Sequence, residues 1–418
     1  MKRHCIILGA GWSGLSAALH LLNQAPEAFQ ITILEAAPQA GGRARAVPGF
    51  RPEFGLDNGQ HVFLNACSNL IELYQILGIH TDQLFLKLPL EFWVNNQNFL
   101  KPAFNLEYLS RLFYSLKFKY YLDFKTQNPS LRNLSALAWL EKHQSESMIQ
   151  NLWAPLSQAI LSTPIEIASA QLLINTLKAC FSVKKPELWL AKQDLSASFV
   201  DPALAYILRK NGKIFYNQRV LKVSLEKLKA SPFLIETRDK IYQADIIINA
   251  LPPWETQKLF PELKLPDFKL EAIQTIYLEY PRELGLKYPM QIFKNTNFSA
   301  LRDLPWIFDR AFLGQPNILA WVNSGTDVST FPSPETAMLE LKALYPHWGQ
   351  ALRHKRIIEK RAAFQGSPEQ EAYRPSVQTK IPNLFLAGDY TANPFPSTLE
   401  GAVLSGKLSG EKVLLSLV

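Results

Sequence analysis

The chain has 418 residues, which suggests two or three domain-sized units and is long enough to bury a large core. Apolar residues make up 47% of the sequence and charged residues 19%, a balance that excludes an intrinsically disordered chain. The net charge of +8 suits an anionic surface, but no nucleic-acid-binding module is recognisable, so we expect no nucleic-acid partner.

Cysteine content and hydropathy restrict the cellular setting. Cys5, Cys67 and Cys180 cannot all pair and lack the spacing of metal ligands, so we predict no metal site and a reducing compartment. The uncharged run of residues 4–22 could be mistaken for a signal peptide, but its glycines belong to the motif described next. No stretch offers the roughly 20 uninterrupted apolar residues of a transmembrane helix. We therefore expect a cytoplasmic protein, peripherally associated with the inner face of the cytoplasmic membrane.

The N-terminal stretch has the pattern of a nucleotide-binding βαβ unit. An apolar run ending at Leu8 predicts a strand, and the helical spacing of leucines and alanines after Gly14 predicts a helix. The glycines between them permit a sharp turn and a close approach to a pyrophosphate at the helix N-terminus. A second predicted strand ends at Glu35, whose carboxylate suits the ribose hydroxyls. The predicted dinucleotide contacts are Gly9, Gly11, Trp12, Ser13, Gly14, Glu35 and Ala36.

Two further segments indicate a flavin rather than a nicotinamide. Residues 41–43 (the GGR segment) resemble the GGR of flavoproteins in the amine oxidase and carotenoid desaturase superfamily, whose glycines approach the FAD diphosphate. Residues 388–389 (the GD motif) follow a predicted strand and precede a predicted helix, which resembles the second FAD motif of that superfamily. This resemblance implies FAD as the cofactor. It adds as contacts Gly42, Arg43, Val220 (backbone to adenine), Gly388, Asp389, Thr398, Leu399 and Ala402.

Residues 57–61, DNGQH, form a polar turn after the GGR segment. In the superfamily the chain returns toward the flavin ring at about this distance, so the resemblance places Asn58, Gly59 and Gln60 beside the cofactor. Without the resemblance the same residues are an ordinary turn, and His61 an ordinary structural side chain. The candidate proton donors are His61, Asp57 and Asp194.

The middle of the chain predicts helices and short strands. Residues 69–78 have helical spacing, and residues 101–125 form a basic, aromatic, amphipathic segment. That segment is typical either of an interfacial helix that admits a lipid or of a core-packed helix whose lysines reach solvent. Residues 271–280, 291–293 and 318–323 are strand candidates, expected to form a sheet over a substrate cavity, and residues 335–344 predict a helix.

The sequence of residues 152–171, with Asp194 to Ala203 and the polar turn, resembles that of the hydroxysqualene dehydroxylases. The resemblance extends from the first strand to the LEGAV run at Leu399 to Val403, although Lys192-Gln193 replaces an expected Pro-Arg pair. It implies an α/β fold: a Rossmann-type FAD-binding domain of the amine oxidase and glutathione reductase-like class with an inserted α+β substrate domain. The implied FAD-binding domain comprises residues 1–65, 195–255 and 375–418, and the substrate domain residues 66–194 and 256–374.

The resemblance implies FAD-dependent reductive dehydroxylation of hydroxysqualene to squalene in bacterial hopanoid biosynthesis. Hydride would pass from N5 of reduced FAD to an allylic cation, so an isoprenoid substrate and an external electron donor are expected. Two alternatives remain. An isoprenoid or carotenoid desaturase or an amine oxidase would remove hydride with the same flavin, and a flavin-containing isoprenoid carrier would bind the lipid without catalysis.

Overall fold

The computed structural model describes residues 2–51, 54–98, 129–226, 232–294 and 304–416. The described strands are β1 (Arg3–Leu8), β2 (Phe29–Leu34), β3 (Ala46–Arg51), β4 (Phe54–Asp57), β5 (Val62–Leu64), β6 (Phe85–Pro89), β7 (Trp93–Val94), β8 (Gln97–Asn98), β9 (Glu187–Ala191), β10 (Lys213–Phe215), β11 (Val220–Leu225), β12 (Phe233–Thr237), β13 (Ile241–Ala244), β14 (Ile246–Asn249), β15 (Leu270–Glu279), β16 (Met290–Ile292), β17 (Trp306–Asp309), β18 (Ile318–Gly325), β19 (Arg353–Phe364) and β20 (Leu384–Leu386). The described α-helices are α1 (Trp12–Gln24), α2 (Ser68–Leu77), α3 (Thr81–Leu84), α4 (Ala136–Leu140), α5 (Glu146–Met148), α6 (Ala154–Leu161), α7 (Ala170–Ser182), α8 (Asp201–Arg209), α9 (Pro253–Leu259), α10 (Pro334–Leu344), α11 (Pro368–Ala372) and α12 (Leu399–Leu415).

A parallel sheet of strand order β10-β2-β1-β14-β20 forms the centre of the nucleotide-binding region. Its inner strands are buried and apolar because both faces are covered. Helices α1, α8 and α12 pack on one face, and the antiparallel sheet β11-β12-β13 packs on the other. The predicted strand–turn–helix at the N-terminus and the predicted C-terminal helix are confirmed.

The two ends of the chain meet where α12 crosses α1. The Oγ of Ser16 donates a hydrogen bond to the carbonyl of Val403 at 2.8 Å, so the helix backbones are in near contact. A Cβ at Gly406 would lie 2.2 Å from the carbonyl oxygen of Ser13. Only glycine fits at position 406, and the resulting contact brings the N-terminal and C-terminal motifs together.

A larger, mostly antiparallel sheet of order β19-β15-β18-β17-β16-β7-β8 forms the second region. Helix α10 packs on one face. Helices α4 to α7 form an apolar layer that reaches β16 and β17. The strands predicted at residues 271–280, 291–293 and 318–323 correspond to β15, β16 and β18, and the helix predicted at residues 335–344 to α10.

Two segments of the chain did not follow, or could not be compared with, the sequence predictions. Strand β19 was not predicted, because six basic side chains among its 12 residues hide the apolar alternation of an edge strand. The amphipathic segment of residues 101–125 lies outside the described residues. In the part of the chain that the structure describes, none of the helices has the length and apolarity needed to cross a membrane.

Replacing Gly406 by alanine tests the helix contact. Glycine to alanine within a helix usually stabilises a protein by about 1 kcal/mol. Here we expect a loss of about 1–3 kcal/mol in the free energy of unfolding, because the new methyl group meets the Ser13 carbonyl. Gly410→Ala is the matched control in α12, since its Cβ would meet only the His20 side chain, at 2.9 Å. Chemical denaturation should find Gly406→Ala the less stable variant; equal stabilities would contradict this packing.

Candidate active site

The glycine turn (residues 9–14) and the GGR segment form one surface at the N-terminus of α1. Gly9 has a φ of +97°, and a Cβ at Gly14 would lie 2.2 Å from the Gly9 carbonyl oxygen. Gly11 provides no side-chain cap for α1, and no acidic residue occupies the first turn. A Cβ at Gly42 would lie 3.2 Å from the Cα of Gly11. The bare backbone and the helix N-terminus fit an anionic diphosphate; Trp12 and Ser13 open the helix.

Glu35 is fixed beside this surface at the end of β2. Its carboxylate oxygens accept hydrogen bonds from the N–H groups of Ala10 and Ala37, each at 2.8 Å. Ala36 is the next residue after Glu35, beyond the end of β2. The Glu35 carbonyl also accepts a hydrogen bond from the N–H of Gln218 at 2.8 Å, two residues before Val220. Glu35 thus contacts the segment that leads into β11 at Val220, and a nucleoside would bind at this end of the parallel sheet.

The GD motif contacts the GGR segment across 346 residues of sequence. Asp389 is buried, forms an ion pair with Arg43 and accepts a hydrogen bond from Ser397. The Gly388 N–H donates to the Oγ of Ser405 in α12 at 2.9 Å. Thr398 caps α12, its Oγ1 accepting from the Gly401 N–H at 3.2 Å, with Leu399 and Ala402 in the first turn. A pocket beside Asp389 is lined by residues that include Phe364, Gln365, Arg374, Tyr390 and Ser397.

The polar turn connects these motifs to the large sheet. The side chain of Asn58 donates to the Arg43 carbonyl at 2.8 Å and accepts from the Arg45 N–H at 3.1 Å. Gln60 donates to the hydroxyl of Tyr277 at 2.7 Å, and that hydroxyl donates to the Asp57 carbonyl at 2.7 Å. The carbonyl of Gly59 accepts a hydrogen bond from Nδ1 of the His61 ring.

Arg310 is a buried cation that the sequence analysis missed. It is 1% exposed and donates from Nη1 to Gln60 at 2.8 Å and from Nε to Gln315 at 2.5 Å. Its Nη2 is buried and has no hydrogen-bond partner among the described residues. Nothing in its local sequence distinguishes it from a surface arginine, because its burial depends on contacts with residues 250 positions earlier.

Comparison with known proteins identifies the family. Residues 12–414 match the family described as flavin containing amine oxidoreductase. The chain belongs to this family. It is 25% identical to hydroxysqualene dehydroxylase of Zymomonas mobilis, over 98% of each chain. It is 24% identical to the zeta-carotene desaturase of Arabidopsis thaliana, over 97% of this chain and 84% of the relative.

The fold comparison agrees with the family. A putative protoporphyrinogen oxidase from Exiguobacterium superposes with a TM-score of 0.73 at 15% identity, covering 100% of this chain and 99% of the other. The expected α/β flavoprotein fold and the resemblance to hydroxysqualene dehydroxylases are confirmed. This flavin-containing oxidoreductase uses FAD, as its motifs predicted.

The three predicted proton donors have different surroundings in this flavoprotein. Asp57 is 6% exposed, and its Oδ1 accepts from the Leu195 N–H at 2.7 Å. Burial raises the pKa of Asp57 to about 7, although Arg310 opposes the rise. Asp57 therefore holds a proton over part of the neutral range, as a general acid requires.

His61 and Asp194 suit proton donation less well. Nδ1 of His61 lies 3.0 Å from the Gly59 carbonyl, which can only accept, so Nδ1 carries the hydrogen and Nε2 is an acceptor. Burial lowers the pKa of His61 to about 4, so the ring is neutral at pH 7. Oδ1 of Asp194 accepts a hydrogen bond from the Ala197 N–H at 2.9 Å, beside the start of the π-helical turn Ser196–Val200. Its carboxylate holds a backbone turn in place.

Glu271 is a fourth acid, and sequence reasoning missed it. It is fully buried in β15 and accepts a hydrogen bond from Nε2 of Gln365 at 2.8 Å. Burial raises the pKa of Glu271 to about 7. Its sequence neighbours suggested only a strand, since a lone glutamate at a strand end is ordinarily exposed.

Replacing Glu35 by glutamine should weaken FAD binding. The variant loses the negative charge of the carboxylate that would accept hydrogen bonds from the ribose hydroxyls. Hydrogen bonds to a charged group contribute roughly 1.5–3 kcal/mol. We expect the Kd for FAD to rise at least about tenfold in titrations of the apoprotein followed by flavin fluorescence. Glu27→Gln, at a side chain that is 88% exposed, should leave the Kd unchanged. Equal affinities for both variants would remove Glu35 from the FAD site.

Asp57 should make stability depend on pH. Because its pKa rises from 3.8 to about 7 on folding, the folded state binds the extra proton, and this stabilisation is lost as the pH rises toward 7. Asp57→Asn removes that contribution but preserves the acceptor for Leu195. Over this range the free energy of unfolding should fall with pH less steeply in the variant than in the wild type, by up to about 1.4 kcal/mol per pH unit. Parallel pH profiles would show that Asp57 is ionised in the folded protein.

Proposed function

We propose that this protein catalyses the FAD-dependent reductive dehydroxylation of hydroxysqualene to squalene in bacterial triterpene biosynthesis. The observation that carries the proposal is similarity to a hydroxysqualene dehydroxylase over 98% of both chains, which leaves no large segment of either protein unmatched.

The division of labour within the chain supports the proposal. Residues 1–65, 195–255 and 375–418 would hold FAD, and residues 66–194 and 256–374 the lipid. Two apolar cores agree with this division in outline: one surrounds the parallel sheet and the other joins α4 to α7. Helix α2 and strands β6 and β9 are exceptions, since their residues Tyr74, Phe85 and Trp189 pack into the nucleotide-binding core.

When bound in its reduced state, FAD supplies the hydride. The chain's own residues would bind the apolar hydrocarbon, keep water from the reacting carbon and deliver a proton to the leaving hydroxyl. The apolar layer of α4 to α7, in which Trp139, Leu172 and Leu173 are buried, would form a dry wall beside the hydrocarbon. Asp57 and Glu271 are the two described acids near the FAD motifs whose burial raises the pKa to about 7.

Partners outside the chain are also part of the proposal. An external electron donor must reduce the flavin before each turnover, because the products contain two electrons more than hydroxysqualene supplies. The amphipathic pattern of residues 101–125 favours peripheral contact with the membrane that holds the lipid.

A desaturase is the second candidate. The similarity to a zeta-carotene desaturase supports it, because that relative covers 97% of this chain at 24% identity. The same site could then accept hydride from a saturated isoprenoid segment, with oxidised rather than reduced flavin at the start. Substrate and direction of electron flow are what distinguish the two functions.

An anaerobic single-turnover experiment separates these functions. Holoenzyme reduced with dithionite and freed of excess reductant is mixed with hydroxysqualene, while flavin absorbance and extracted lipid are followed. We expect rapid flavin reoxidation and one squalene per flavin. Squalene added instead of hydroxysqualene is the control and should leave the flavin reduced. Persistent reduction with hydroxysqualene would overturn the proposal; reduction of oxidised enzyme by a saturated isoprenoid would favour the desaturase, and bound lipid without redox change would favour a carrier.

A further inference from the structure

Glu271 is a buried acid for which the described part of the chain offers no compensating cation. One carboxyl oxygen accepts from Gln365, whereas the other, Oε2, is buried and has no hydrogen-bond partner among the described residues. Glu271 forms no ion pair within the described parts of the chain. Buried polar atoms are nearly always hydrogen-bonded, so an unpaired oxygen on a fully buried acid calls for a functional explanation.

The position of Glu271 links it to the FAD motifs. Glu271 pairs in register with Ala363 of the adjacent strand β19. The carbonyl of Ala362, the residue before Ala363, accepts a hydrogen bond from Arg43 of the GGR segment at 3.0 Å. The Arg43 guanidinium also lies 5.2 Å from the centre of the Phe364 ring. Glu271 is therefore one strand away from a backbone segment that directly contacts the proposed FAD site.

The same position borders the apolar helices. Gln365, the partner of Glu271, lines the pocket beside Asp389. The next residue, Gly366, donates its N–H to Oγ1 of Thr163 at 2.8 Å, just beyond the end of α6. A Cβ at Gly366 would lie 3.0 Å from a methyl group of Leu172 in α7. Glu271 thus lies where the FAD motifs, the large sheet and the apolar layer of α4 to α7 meet.

Other unpaired polar atoms accompany Glu271. Thr275 lies four residues after Glu271 in β15, beyond an irregularity in the pairing of β15 with β19. The Oγ1 of Thr275 is buried and has no hydrogen-bond partner among the described residues. Gln158 of α6 donates to Ser324 in β18 at 2.9 Å, and its Oε1 is likewise unpaired within the described chain. A largely apolar layer with a few unpaired polar atoms suits an apolar ligand that carries a hydroxyl group.

From this geometry we infer that Glu271, oriented by Gln365, binds the hydroxyl of the isoprenoid alcohol and donates the proton with which it leaves. The inference rests on the proposed dehydroxylation and names the catalytic acid for it. Gln365 acts as a positioning residue, since its amide fixes one carboxyl oxygen and leaves the other facing the ligand.

The proton and electron count is balanced. Proton transfer from the Glu271 carboxyl to the hydroxyl oxygen accompanies cleavage of the C–O bond, so water leaves with the bonding electron pair. The carbon left behind is an allylic cation and accepts hydride from the reduced cofactor, which is oxidised by two electrons. The Glu271 carboxylate then recovers a proton from solvent before the next turnover.

Asp57 is less suited to this role despite a similar pKa. Its Oδ1 already accepts a backbone hydrogen bond from Leu195, and Arg310 favours its ionised form. Apart from the hydrogen bond donated by Gln365, no group among the described residues opposes the effect of burial on the pKa of Glu271. Burial raises both pKa values, but among the described residues a cation opposes the rise only at Asp57, so the surroundings of Glu271 favour the protonated acid more strongly.

Glu271→Gln tests the inference, because glutamine keeps the shape and the acceptor for Gln365 but has no acidic proton. In the anaerobic single-turnover assay, we expect flavin reoxidation to slow by at least about 100-fold, the usual size of a general-acid contribution. Thermal stability and FAD content should be retained, since the substitution removes a buried acid that lacks a cation. Glu340→Gln is the matched control: Glu340 in α10, on the other face of the sheet, also has an unpaired buried oxygen. Its rate should equal that of the wild type.

Infrared difference spectra provide a measurement that does not depend on turnover. Adding hydroxysqualene to the oxidised holoenzyme should shift the C=O stretch of a protonated carboxyl group, and the shift should be absent in Glu271→Gln and with squalene. A wild-type rate in Glu271→Gln, or the same infrared shift in that variant, would overturn the inference while leaving dehydroxylation intact. If the wild-type flavin stays reduced, the proposed function itself fails, and the infrared shift then reports whether Glu271 still binds the hydroxyl.

Discussion

The contact between α1 and α12 is the constraint on which the rest of the structure depends. Since α12 lies against the backbone of α1 at Gly406, the GD motif and the glycine turn become neighbours although they stand at opposite ends of the chain. The ion pair between Arg43 and Asp389 is then possible. Every segment between the two motifs must leave this contact and return to it, which explains why the proposed FAD-binding region is discontinuous in sequence.

The polar turn joins the FAD motifs to the second region through hydrogen bonds. Asn58 fixes the turn to the GGR segment, while Gln60 and the Asp57 carbonyl fix it to Tyr277 of the large sheet. Burying the Arg310 cation in this network costs free energy that its hydrogen bonds to two glutamines and the nearby Asp57 only partly offset. Such a network fixes the polar turn against the large sheet, as the proposed hydride transfer would require.

Local chemistry made part of this molecule predictable. The glycine turn, Glu35 and the C-terminal helix follow from residues close in sequence, and the structure places them as expected. Burial created by distant segments was not predictable, so Arg310 and Glu271 looked like ordinary surface charges. Strand β19 was missed for a related reason: its basic residues suit an exposed edge, but its last residues are buried beside Arg43. The raised pKa values of Asp57 and Glu271 likewise arise from the fold and have no sequence signature.

The two buried acids illustrate how one fold can give similar groups different tasks. Exclusion of water by a bound hydrocarbon lowers the local dielectric and strengthens every remaining electrostatic interaction. For Asp57, attraction to Arg310 opposes the dominant effect of burial and favours the carboxylate. For Glu271, which forms no ion pair with the described residues, only the hydrogen bond from Gln365 opposes burial, which favours the neutral acid. We therefore expect a bound hydrocarbon to favour the protonated form of Glu271 more than that of Asp57, which is the difference that the inferred role of Glu271 requires.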